Sequence, residues 1–242
     1  MHWLRNLTEL YSLMNPTTII YLGILAMAPS LALMIYIYWK DKFDKEPLKE
    51  LALTFILGAL SAVPVIVTGH LLKLFGFDES SKSLLWSLVS MFCVVGFVEE
   101  FYKFLAVYVY AYRHKAFNEP FDGITYGVMA AMGFATLENL LYVFLDDQPE
   151  TVAWMRMFTA VPAHAFFGVI SGYFIGLQRT KNLRGLAIQG VLLAAVLHTC
   201  YNFFLTHSYI PGLILGALAS LLIGYRFSMT AIKKHNALKT NP

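Results

Sequence analysis

The chain has 242 residues, of which 58% are hydrophobic and only 14% charged, with a mean hydropathy of +0.60. Those fractions lie outside the range of soluble domains and exclude a water-soluble fold. The formal net charge of +3 is carried by loops and offers no nucleic-acid surface.

The opening segment, "MHWLRNLTELYSLMNPTT", lacks the charged n-region and small-residue cleavage site of a signal peptide and reads as a short, uncleaved interfacial helix. Beyond it, crossing about 30 Å of hydrocarbon takes roughly 20 apolar residues. Runs of that kind lie at 17 to 39, 49 to 72, 84 to 112, 122 to 145, 153 to 178, 184 to 206 and 209 to 229. The expected fold is all-α, a polytopic membrane helix bundle of about seven transmembrane helices. It forms a single domain over 1–242 with a motif-bearing core at 84–206. No internal repeat or low-complexity tract interrupts it, and short loops leave no room for a soluble lobe.

Short cytoplasmic loops collect Lys and Arg. Alternating the loops gives one side Lys40, Lys42, Lys45, Lys49, Arg113, Lys115, Arg179, Lys181, Arg184, Arg226, Lys233, Lys234 and Lys239. The other side receives Arg5, Lys73, Lys82 and Arg156. Thirteen against four, with Lys103 inside a span, accounts for all 18 basic residues. An even number of spans would destroy this bias, so the N-terminus is expected outside and the C-terminus in the cytoplasm.

Several smaller readings follow in chain order. Cys93 and Cys200 fall inside spans and suggest packing rather than a disulfide framework. Asp122, just before span four, reads as an N-cap. Pro162 cannot donate to residue 158 and should kink span five. Gly168, Gly172 and Gly176 recur every fourth residue, which lets a neighbouring backbone approach closely.

Polar groups within the spans carry the functional signal. Of 15 acidic residues, three lie within spans: Glu99 and Glu100 in "FVEEFYKFL", and Glu138 in "GFATLENLLY". A charge at mid-membrane costs about 2.5 to 3.5 kcal/mol on the insertion scale. Lys103 relieves part of that cost as the i+4 partner of Glu99 and the i+3 partner of Glu100. Span four adds Asn139, span five His164, and span six His198 and Asn202 one turn apart. Counting the helical rise from the outer span ends puts Glu138 about 10 Å deep, His198 about 12 Å, His164 about 16 Å and Glu99 about 22 Å. Span three exceeds the hydrocarbon thickness, so its outer turn projects and the groups can share one level between midplane and outer leaflet.

Three carboxylates and one lysine leave net negative charge in low dielectric. Either carboxylates are protonated, or a divalent cation binds His164, His198 and one or two glutamates, with Glu138 and then Glu100 as the carboxylates, a donor set suited to zinc. Peptide hydrolysis needs an activated water and a partner for the developing oxyanion. Zinc could supply the first, or a Glu and a His could polarise the water without metal, with Asn202 and His198 cradling the oxyanion. No H-E-x-x-H occurs, no aspartates face each other within spans, and "GVISG" is one residue too long for a G-x-S-G serine site, which leaves Ser171 to helix packing. Two other readings use the same residues: an ion- or proton-coupled transporter with glutamate relays, and a non-catalytic immunity or scaffold protein.

The ordered series "EEFYK", "PFDGITYG", "GFATLEN", His164-x-x-x-Gly168 and His198-x-x-x-Asn202 resembles the motifs of the PrsW family of intramembrane proteases. The likeness runs from about residue 97 to 204, and is more distant to type II CAAX prenyl endopeptidases and bacteriocin-immunity relatives. It implies a multi-pass protein of the bacterial plasma membrane. Its implied activity is site-one cleavage of a single-pass membrane protein, such as an anti-sigma factor, on the extracytoplasmic side. By that resemblance Glu99, Glu100, Glu138 and His164 would be catalytic, His198 a fifth candidate, and Lys103, Asn139 and Asn202 supporting. The spans before residue 84 carry no recognisable motif.

Overall fold

The computed structural model describes residues 15–41 and 44–240, with side chains as far as 234. The opening interfacial helix expected from sequence lies outside the described residues. Every regular element described is helical, and seven stretches are long and apolar enough to cross a membrane: Pro16–Lys40, Leu48–Leu74, Leu84–Arg113, Pro120–Leu145, Pro149–Lys181, Leu186–Thr206 and Leu213–Lys234. The count agrees with the apolar runs, and the ends shift for local reasons. Span five opens at Pro149, where proline suits the first helical turn. Span seven starts at Leu213, because Gly212, at φ 87°, ends the preceding turn in the left-handed region.

The first span is one helix, α1 (Pro16–Lys40), capped by Asn15, whose Oδ1 accepts from Thr17 N at 2.6 Å. The second is broken into α2 (Leu48–Leu60) and α3 (Ala62–Leu74). Pro64 cannot donate to the Leu60 carbonyl, and Ser61 Oγ turns back to donate to Gly58 O at 2.6 Å. The third runs as α4 (Leu84–Met91), a π-helical turn (Phe92–Gly96), α5 (Phe97–Val109) and a 3₁₀ turn. The fourth is α6 (Pro120–Leu145). Its N-cap is Glu119, not Asp122 as expected. Asp122 sits three residues later in a reciprocal capping box, its Oδ2 accepting from Asn118 N and Glu119 N at 2.7 Å each. The sequence argument missed this because either acid can satisfy the first-turn donors.

The fifth span divides at Thr159 into α7 (Pro149–Phe158) and α8 (Ala160–Lys181). This is the break expected of Pro162: the Phe158 carbonyl has no donor there, and Thr159 leaves helical geometry at φ −124°, ψ −72°. α9 (Leu186–Thr206) and α10 (Leu213–Thr240) complete the bundle. Cys93 and Cys200 are both half-buried and free, each in its own span.

α6 and α8 form the buried centre, and the glycine series explains how. A Cβ placed on Gly172 would lie 2.2 Å from Gly123 O, one on Gly176 2.1 Å from Pro120 O, and one on Gly127 2.5 Å from Gly168 O. The two backbones therefore touch along three turns, which only residues without side chains permit. Aliphatic side chains such as Ile24, Leu31, Val63, Ile66 and Ile188 remain exposed around the periphery, the surface expected of a body solvated by lipid tails.

Candidate active site

The polar residues of four spans meet in one place. Glu99, Glu138, His164, His198 and Asn202 line a single pocket of about 240 Å³, joined there by Arg156. All the sequence-chosen polar groups of spans three to six except Asn202 and Glu138 are buried, and those two are half-buried.

Span three delivers its acids through the π turn. Gly96, the last residue of that turn, lies so close to α9 that a Cβ there would meet Thr199 Oγ1 at 2.1 Å and Ala195 O at 2.7 Å. Glu99 and Glu100 thus emerge one turn beyond a point of backbone contact with the helix that carries His198. Adjacent residues on a helix point about 100° apart, so the two acids go different ways. Glu100 turns inward: its Oε1 accepts from Lys103 Nζ at 2.6 Å and lies 2.9 Å from His198 Nδ1. Glu99 faces the pocket, with Oε2 4.0 Å from Lys103 Nζ and 3.8 Å from His198 Nε2, and that oxygen has no hydrogen-bond partner among the described residues.

The network assigns the imidazole tautomers. Lys103 Nζ also lies 3.1 Å from His164 Nδ1. An ammonium only donates, so Nδ1 accepts and the ring proton sits on Nε2, which donates to Glu138 Oε2 at 3.0 Å. On His198 the Nδ1 proton goes to Glu100, which leaves the Nε2 lone pair facing Glu99. Phe167 stacks on the His198 ring at 4.8 Å, and the two imidazoles meet edge to face at 5.2 Å, so neither ring can turn freely.

Glu138 is held from the far side by Arg156. Its guanidinium donates from Nη2 to Glu138 Oε2 at 2.5 Å and from Nε to Asn139 Oδ1 at 2.7 Å, and stacks 4.1 Å over Tyr142. Asn139 donates in turn to Ala26 O at 2.8 Å, tying the site to α1. The sequence reading placed Arg156 among outer loop bases. Its one signal was position: eight residues before His164, ahead of a proline break that folds α7 back over α6. Tyr201 was also missed. Its buried hydroxyl lines the pocket beside Asn202, with the Thr159 hydroxyl as its neighbour.

Glu99, His164 and His198 each offer one donor atom, all within 4.8 Å of one another and all buried. Two imidazole nitrogens and an orphaned carboxylate oxygen suit zinc-type chemistry, so the residues fit a divalent cation. Glu99 Oε2 and His198 Nε2 are open to it, and at His164 it would replace one of the ring's two present contacts. The carboxylate in this donor cluster is Glu99. Glu138 and Glu100, the carboxylates expected from sequence, are instead engaged by Arg156 with His164 and by Lys103 with His198.

Residues 46–231 match the family described as PrsW family intramembrane metalloprotease. The chain belongs to the PrsW family. It is an intramembrane peptidase and a multi-pass membrane protein, the first of the three readings the residues left open. The match takes in span two, in which sequence inspection found no motif. Among similar proteins, Protease PrsW of Halalkalibacterium halodurans is 34% identical over 182 residues, covering 74% of this chain and 81% of that protein. Protease PrsW of Clostridioides difficile is 33% identical over 220 residues, 88% of this chain and 91% of its own. Protease PrsW of Bacillus subtilis is 33% identical over 184 residues, with shares of 74% and 80%. No solved structure matches the chain.

Proposed function

We propose that this PrsW-family peptidase makes the first cut in a single-pass membrane regulator, such as an anti-sigma factor, on the outer side of the bacterial plasma membrane. The observation that carries the proposal is the convergence of Glu99, Glu138, His164 and His198 in one buried pocket. Glu79, from the connection between spans two and three, and Thr206, at the end of span six, rim that pocket. Both belong to the side poor in Lys and Arg, which supports cleavage facing away from the cytoplasm.

Glu99, His164 and His198 would hold the cation. A zinc-like ion there supplies Lewis acidity and lowers the pKa of a water to near neutrality. Glu100 fixes His198 by taking its Nδ1 proton, an outer carboxylate–histidine contact of the kind that orients metal ligands. Lys103 donates to Glu100 Oε1 and supplies the positive charge that three acids need. Arg156 and His164 both engage Glu138 Oε2, which leaves Oε1 to accept the proton of the attacking water and then pass it to the departing amine. Asn202 and Tyr201 donate to the carbonyl oxygen as it takes on charge.

The test is cleavage of a reconstituted single-pass substrate by Glu99→Gln, Glu138→Gln and His164→Ala variants that still purify folded. Losses of about 10²-fold or more are expected for each. Cleavage at the wild-type rate by all three would end the proposal. Metal content measured on the same preparations, with and without chelator, reads the cation directly.

A further inference from the structure

A second hollow, of about 360 Å³, lies beside the active site between α3 and α6 and is floored by span three. Val65, Ile66, Gly69, His70 and Lys73 form one face of α3 along it. Its inner end is shared with the active-site pocket: Glu99, Glu138, Val95 and Tyr142 line both. Its outer face meets the membrane, since Ile66 lines the hollow and is itself 57% exposed.

The break in span two creates this opening. The inner half, α2, is locked onto α6 by backbone contact: a Cβ on Gly58 would meet Ala130 O at 2.2 Å, and one on Gly133 would meet Phe55 O at 2.0 Å. Past Ser61 and Pro64 the contact loosens. Gly69 faces Val94 with room for a Cβ at 3.5 Å. At the outer end Lys73 Nζ pairs with Glu79 Oε1 at 2.9 Å, so an ion pair bounds the hollow on the water side while its flank stays open to lipid.

We propose that this groove admits the membrane segment of a single-pass protein sideways from the lipid and holds it as extended chain against Glu99 and Glu138. The inference rests on the proteolytic reading above and adds the route. A helix 10 to 12 Å across keeps its amides bonded to themselves and presents none for attack, whereas an extended strand advancing about 3.3 Å per residue exposes each one. Bare amides in lipid are costly. Here the unwound stretch finds His70, Lys73, Glu79 and Glu99 among the lining, with apolar Val65, Ile66 and Val94 for its side chains.

Two measurements test the route. In the first, Ile66→Cys and, as a control on the exposed face of α9, Val196→Cys are placed in a Cys93→Ala, Cys200→Ala, Glu99→Gln background. Each is oxidised in vesicles with a single-pass test protein whose Leu/Ala membrane segment carries one cysteine. Disulfide formation at position 66 several-fold above position 196 is expected; equal yields would make the hollow a lipid-filled crevice and overturn the proposal. In the second, Ile66→Trp and Gly69→Phe fill the groove. Cleavage of a membrane substrate should fall about tenfold while a short soluble peptide with the same scissile sequence is cut within about twofold of wild type. Unchanged membrane cleavage, or equal loss of both, overturns it. If the wild type cuts neither substrate yet position 66 still cross-links, the proteolytic reading fails and the groove stands. If it cuts both and the filled variants match it, the groove fails and the proteolytic reading stands.

Discussion

Arg156 Nη2 and Glu138 Oε2 stand 2.5 Å apart, with the two residues on separate helices brought together by the break at Thr159. Among the described residues Arg156 is the one Lys or Arg paired with Glu138, so Arg156→Gln should lower activity about 10²-fold through misplacement of the carboxylate. It should also destabilise the fold by about 1 to 3 kcal/mol, by leaving the Glu138 carboxylate with only the His164 hydrogen bond and no guanidinium beside it. Arg156→Lys should recover only part of the activity, since one ammonium cannot serve both Glu138 and Asn139 in the geometry of a guanidinium. The Arg156→Gln, Glu138→Gln double variant should regain thermal stability without regaining turnover. Thermal midpoints and kcat on the four proteins check the cycle.

Glu100→Gln keeps an acceptor for His198 but removes the charge shared with Lys103. Metal affinity should fall about 10- to 100-fold, the usual effect of losing an outer carboxylate on a ligating histidine. Competition with a chromogenic chelator measures this without reference to cleavage.

Tyr201→Phe removes a buried pocket hydroxyl whose neighbour, the Thr159 hydroxyl, already donates to Met155 O. The fold should therefore be unaffected, while kcat drops about 10²-fold at constant KM if that hydroxyl meets the oxyanion. An unchanged kcat would show that Asn202 acts without it.

Gly172→Val should destabilise by about 1 to 3 kcal/mol or more through overpacking, because its Cβ would lie 2.2 Å from Gly123 O. Gly69→Ala, whose Cβ would find Val94 Cγ1 at 3.5 Å, should be close to neutral. Thermal unfolding in one detergent compares the pair.

Glu46, between the first two spans, is buried and accepts a hydrogen bond from Tyr126 OH. Burial raises its carboxyl above the ordinary value of 4.5, against the opposing pull of that hydrogen bond. The folded protein therefore keeps a proton that the unfolded chain releases. Its contribution to stability is complete below about pH 4.5 and declines as pH climbs toward the folded pKa, then levels off. Glu46→Gln should flatten the fall in thermal midpoint over that range, as read by melting scans at successive pH values.

Much of the site was legible from sequence because a charge in an apolar run is conspicuous. Glu99, Glu138, His164 and His198 were named from that contrast, and counting helical rise allowed them to share one level. Rise gives depth but not direction around the helix axis, which is why Glu138, and then Glu100, were named as the cation's carboxylates beside His164 and His198, while the donor cluster contains Glu99. Arg156 was invisible for the opposite reason. It lies in a polar-looking stretch near a span end, where a base is ordinary, and only the fold of α7 over α6 carries it inward. Pro162 announced its break, while the equivalent break before Pro64 passed unremarked inside a run that reads as one continuous span.

The glycine contact between α6 and α8 bears on how such a protein can change over time. Glu138 and His164 hang from two helices whose main chains press directly together at Gly123, Gly127, Gly168 and Gly172, so that contact works like the hinge pin of a caliper. No larger residue can be admitted at that contact without forcing the jaws apart. Diversity in what the molecule acts on must then arise in the looser outer helices, leaving this pair as an inherited constant.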